Sequence, residues 1–100
     1  MVENVFDANV EHLVIRVNGR FDYSCHKVFR DAFVLAPRAK SYEVDLAHVE
    51  YLDSSALGML LLLRDYAGGE ESHVALTNSS KAVNDLLKMA NFNRLFDISE

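Results

Sequence analysis

Between Tyr42 and Leu63 the apolar residues change period, and the change falls on Asp53-Ser54-Ser55. Tyr42, Val44 and Leu46 alternate, as a strand with one covered face requires. Ala56, Met59, Leu60 and Leu63 recur at spacings of three, four and seven, as one stripe of a helix requires. A strand that passes into a helix through so short a loop is the first half of a crossover, which commits the chain to parallel strand neighbours. The Asp-Ser-Ser cluster supplies side chains that start helices, and Gly68-Gly69 stops this one.

The flanking segments extend the same alternation. Leu13, Ile15 and Val17 read as a strand ended by Asn18-Gly19, preceded by a weaker strand over residues 2–8. A turn near Asn9-Val10-Glu11 joins the two as a hairpin. Residues 24–36 are helical, with Val28, Phe29, Ala32 and Phe33 on one stripe and Pro37 closing the element. Val74 to Leu76 forms a fourth strand, and Ser79-Ser80 starts a helix whose core stripe is Val83, Leu86, Leu87 and Ala90. The tail from Phe92 to Ile98 packs either as a terminal strand or as a short helical segment. The expected fold class is α/β: a small single-layer mixed sheet, largely parallel, of about four or five strands. Its helices pack mainly on one face, and an antiparallel hairpin closes one edge. One hundred residues, half of them apolar, suffice for one core and not two, so residues 1–100 are expected to form a single domain.

Charge and composition exclude several function classes. A net charge of −5 argues against direct nucleic-acid binding or an anionic membrane as partner. The longest apolar run, around Leu60 to Leu63, ends at Arg64-Asp65, so no membrane insertion is expected, and the acidic N-terminus does not read as a secretory leader. Cys25 is the only cysteine; a cytoplasmic protein with no disulfide fits. His12, His26, His48 and His73 lack ligand spacing, so no metal is expected. Gly68-Gly69 lacks the pattern of a phosphate-cradling loop, and no cofactor is expected. Ser54 has no Gly-x-Ser-x-Gly elbow around it, which argues against a hydrolase; the chain is expected not to be an enzyme.

What remains is a switch. Ser54 carries a hydroxyl at a helix N-terminus, where free backbone N–H groups and the helix dipole tolerate an anion. On a helical wheel, Leu57, Gly58 and Leu61 share the side of Ser54, away from the stripe of Ala56 and Leu60. The two leucines are either half-buried against a neighbouring element or part of a partner-binding surface. Burying both would contribute about 3–6 kcal/mol before association costs. A phosphate of about −1.5 to −2 charges would oppose that contact. Asp53 caps the helix or orients the Ser54 hydroxyl, and Ser55 is read mainly as a further cap. Asp22, in a loop after a strand, is expected beside Ser54 or simply solvated.

Leu52-Asp53-Ser54-Ser55-Ala56-Leu57-Gly58 resembles the phosphorylation motif of bacterial anti-sigma factor antagonists, the small STAS domains. Gly19-Arg20-Phe21-Asp22 resembles that family's Gly-x-Leu-Asp turn, and residues 79–92 resemble its third helix and following segment. The resemblance runs over nearly the whole chain. It implies a STAS-like fold, Ser54 as phospho-acceptor, and three classes of partner. These are a serine kinase that doubles as the anti-sigma factor, a serine phosphatase, and a further signalling protein as output. The unphosphorylated form would bind the kinase and free its captive target, and phosphorylation would release it. The alternative is a STAS subunit that steadies a membrane transporter complex without being phosphorylated. Two departures stand out: Ala56 occupies a position where many relatives have glycine, and the sequence ends at Glu100 without the length for the additional C-terminal helix of many relatives.

Overall fold

The computed structural model describes residues 1–100. Five strands form one sheet in the order β1-β2-β3-β4-β5: Val2–Asp7, His12–Phe21, Ser41–Leu52, Val74–Thr77 and Asp97–Ile98. β1 and β2 are the expected antiparallel hairpin, and every other pairing is parallel. The helices are α1 (His26–Val34), α2 (Ser54–Tyr66) and α3 (Lys81–Met89). Because the parallel strands lie in chain order, each crossover steps in the same direction. Right-handed connections then place all three helices on one face.

Burial records that one-sidedness. Leu13, Ile15 and Val17 on β2 and Tyr42, Val44 and Leu46 on β3 are buried, and the residues between them are half-exposed. The open face is polar. His12 bridges Ser41 Oγ at 2.7 Å and Glu43 Oε1 at 3.1 Å, and Thr77 Oγ1 donates to Glu43 Oε2 at 2.7 Å. On the covered face, Phe21, Phe29, Phe33, Tyr66 and Tyr42 form a chain of aromatic contacts with centroids 5.1–6.5 Å apart. Such pairs add directional preference to area burial. The α2 stripe of Ala56, Met59, Leu60 and Leu63 is buried throughout, as its spacing predicts.

Several expectations need correction. Asn18-Gly19 does not end β2: the strand runs on to Phe21, and Gly19 (φ +84°) takes up a distortion within it. An Asn-Gly pair signals a bend, and a bulge uses the same left-handed backbone as a turn. β3 extends to Leu52, and twice advances one residue further than β2, between Asp45 and His48 and between Val49 and Tyr51. Those two bulges convert alternation into a spacing of three, so that Leu46, Val49 and Leu52 all point inward. Asp45 Oδ1 accepts from Ala47 N–H at 3.0 Å and holds the first bulge. The first helical segment opens as a 3-10 turn (Tyr23–Cys25), and α1 proper begins at His26 and ends at Val34, two residues before the expected Ala36. Val28 and Leu86, assigned to core stripes, are exposed instead. The burden of α1 falls on Phe29 and Phe33, and that of α3 on Val83 and Leu87. The tail uses both alternatives, a 3-10 turn (Phe92–Arg94) followed by β5.

Candidate functional site

Phe21 and Leu52 are partners in the β2–β3 register, and both are buried. The residues that follow them, Asp22 and Asp53, therefore emerge side by side where two parallel strands end. Asp53 N–H donates to Phe21 O at 3.4 Å and ties the two exits together. Each aspartate then caps a helical start. Asp53 is the N-cap of α2: its Oδ1 accepts from Ala56 N–H at 3.1 Å, and its carbonyl accepts from Leu57 N–H at 3.2 Å. Asp22 caps the 3-10 turn: its Oδ1 accepts from Ser24 N–H at 3.0 Å and from the Ser24 hydroxyl at 2.5 Å. Hydrogen bonds from the Ser24 hydroxyl and then its N–H, with a smaller share from Arg20, hold the Asp22 carboxyl below the usual carboxylate value.

Ser54 follows as the first residue of α2 and is exposed. Its hydroxyl takes no part in the cap, which Asp53 fills alone. That removes the capping role expected of Ser55, which lies half-buried one residue further on. Ser54 thus presents its hydroxyl outward at the positive end of a 13-residue helix. Beyond it, Gly58 is exposed and a methyl group there would meet no atom within 4 Å. The two leucines differ: Leu57 is half-buried and packs on the core cluster, whereas Leu61 is 40% exposed.

The structure adds a rim that the sequence reading did not single out. Arg20 lies 4.2 Å over the ring of Tyr51, its partner in the β2–β3 register, and its Nε reaches Asp22 Oδ2 at 3.4 Å. Tyr23, 73% exposed, stacks on His26 with centroids 5.7 Å apart. The one available signal was the spacing of Arg20 and Asp22 by two, which puts both on the same side of an extended segment. Cys25 is buried with Sγ donating to Arg20 O at 3.3 Å, a packing residue within the loop. No three His, Cys, Asp or Glu side chains come together as a metal cluster. No helix is long and apolar enough to cross a membrane.

Residues 4–97 match the profile of the family described as "Mlab, STAS domain". The chain belongs to the STAS domain family. A STAS-domain containing protein of Pseudomonas aeruginosa (strain UCBPP-PA14) is 50% identical over 93 residues, covering 92% of each chain. Among solved structures, this STAS domain resembles a putative anti-sigma factor antagonist from Thermotoga maritima. The TM-score is 0.82 at 17% identity, over 99% of this chain and 86% of that one. It also resembles the Bacillus cell fate determinant SpoIIAA in its phosphorylated form. Here the TM-score is 0.63 at 16% identity, over 100% of this chain and 92% of that one. At such identities these likenesses establish the fold, a largely parallel five-strand sheet with three helices, as the STAS fold.

Proposed function

We propose that this STAS domain is an anti-sigma factor antagonist whose binding state is set by phosphorylation of Ser54. The observation that carries the reading is the exposed Ser54 hydroxyl at the start of α2, excluded from the cap by Asp53. A residue in that position can be modified without breaking a hydrogen bond that the fold needs. SpoIIAA, a protein of the same fold, has been solved in a phosphorylated form, which supports the same chemistry here.

The proposed partner is a serine kinase that doubles as an anti-sigma factor, and a serine phosphatase reverses the modification. The chain itself is substrate and ligand, acting in the cytoplasm, with no catalytic group of its own. The partner meets the face of Ser54, Leu57, Gly58 and Leu61, with Asp22, Asp53 and Ser55 supporting the phosphosite. A phosphate on Ser54 gains the first-turn N–H groups of α2 but stands near the Asp22 and Asp53 carboxylates and beside the apolar contact. The gain keeps the phosphorylated domain folded; the crowding of like charge and the desolvation of phosphate expel the partner.

The test is incubation with the kinase and ATP followed by intact-mass measurement. Wild type gains one phosphate and Ser54→Ala gains none. Equal labelling of Ser54→Ala overturns the site, and no labelling of either protein returns the domain to the role of an unphosphorylated transporter subunit. Ser54→Asp is expected to bind the kinase more weakly than Ser54→Ala, and equal affinity removes the switch.

A further inference from the structure

At the other end of the helices lies an open groove of about 310 Å³ between α1 and α2, lined by Arg30, Phe33, Val34, Leu62, Asp65 and Tyr66. Its floor is apolar and Leu62 within it is 49% exposed, while at its edge the Arg38 guanidinium lies 4.2 Å over the ring of Tyr66 and donates to the Tyr66 carbonyl at 2.9 Å. The groove belongs to the C-terminal halves of both helices. Leu62 is eight residues from Ser54, about 12 Å along α2 at ~1.5 Å per residue. Nothing in the switching site uses it.

The charges at the rim carry the argument. Arg30 on α1 and Asp65 on α2 stand on opposite walls and form no ion pair with each other; Arg30 pairs instead, at 3.8 Å, with Asp31 on its own helix, and Asp65 has no ion-pair partner. Both helices return the chain from the end of one parallel strand to the start of the next, so they run in the same direction. A two-fold axis parallel to them, placed over the groove, turns a second copy face to face and exchanges the helices. α1 of one copy then covers α2 of the other. Arg30 of each copy meets Asp65 of its mate, and the exposed Leu62 side chains enter the apolar floor. A surface with one cation and one anion on exchanged walls is self-complementary, which is the requirement of a two-fold interface.

The geometry points to a second copy of this chain as the occupant of the α1–α2 groove, forming a two-fold dimer clipped by reciprocal Arg30–Asp65 pairs. The groove alone is smaller than a standard interface, so the association is a weak, reversible one in the micromolar range or above. The dimer leaves Ser54 free on both copies, so two partners can be engaged at once. It stands independently of whether Ser54 is phosphorylated.

Sedimentation equilibrium of the full chain over a graded concentration series tests this. Wild type should dimerise, and Arg30→Asp and Asp65→Arg should each raise the dimer dissociation constant by about tenfold or more, because like charges then face each other. The double variant restores the pairing in reversed sense and should recover the wild-type constant. Leu62→Asp should abolish the dimer. All three substituted positions, Arg30, Leu62 and Asp65, are exposed, and unchanged thermal melting of each variant shows that folding is not the cause. A wild-type protein that stays monomeric up to about 1 mM, single charge variants that associate like wild type, or a double variant no better than the singles each overturn the proposal.

Discussion

Gly58 offers a prediction in which stability and binding move in opposite directions. It sits in the interior of α2, has an ordinary helical backbone, and a methyl group there would touch nothing within 4 Å. Glycine in a helix interior costs about 0.8–1.0 kcal/mol relative to alanine, chiefly through the freedom it regains on unfolding. With no clash to subtract, Gly58→Ala should recover nearly all of that amount. At about 2.1 cal/mol/K of unfolding entropy per residue, a chain of this length gains about 4–5 °C in melting temperature for it. Circular dichroism at 222 nm with thermal and urea denaturation reads the change. If the partner packs closely on this face, the same methyl group holds it away, so affinity for the kinase should fall although the domain is more stable. A lower melting temperature would refute the account of open space around Gly58. A higher melting temperature with unchanged affinity would refute the role of glycine in close approach.

The leucine pair can be separated in the same assays. Leu61→Ala should reduce partner affinity with a smaller loss of melting temperature than Leu57→Ala, since Leu61 is 40% exposed and stands outside the core cluster, whereas Leu57→Ala should lower both because it packs on the core. A large stability loss in Leu61→Ala would mark it as core. Asp53→Ala removes the only side-chain cap of α2 and should cost about 1 kcal/mol, seen as a lower urea midpoint; no change would mean that solvent caps the helix equally well. Burial pushes the Asp45 carboxyl up, but hydrogen bonds from Ala47 N–H, Asn78 and Arg16 outweigh it and hold the group below its ordinary value of 3.8. Its contribution is therefore complete above about pH 4 and is lost as pH falls through the lowered value. Asp45→Asn should flatten that acid limb in urea midpoints measured against pH, and an unchanged limb would show that other carboxylates dominate.

The order and type of the elements were readable because each strand and helix carries its own hydrophobic period. Ala56, Met59, Leu60 and Leu63 needed nothing outside α2 to declare their face. Adjacent apolar positions were harder. Val28-Phe29 and Leu86-Leu87 each offer two phases of one stripe, and only the packed neighbour selects Phe29 and Leu87 for burial. The bulges in β3 were hidden for a related reason. Leu46, Val49 and Leu52 repeat at three, a spacing that no isolated strand produces and that arises only from the register with β2.

By itself, then, the sequence determined where the chain changes from strand to helix and that Asp53, Ser54 and Ser55 stand at that change. These are local matters, set by residue period and capping chemistry within a few positions. Tertiary structure alone decided what surrounds Ser54. The pairing of Phe21 with Leu52, thirty-one residues apart, brings Asp22 beside Asp53, and the pairing of Arg20 with Tyr51 builds the rim. It also left Arg30 and Asp65 facing each other across a groove. Register and crossover direction place such residues together, and both depend on distant segments competing for one core rather than on any pattern a short window of sequence contains.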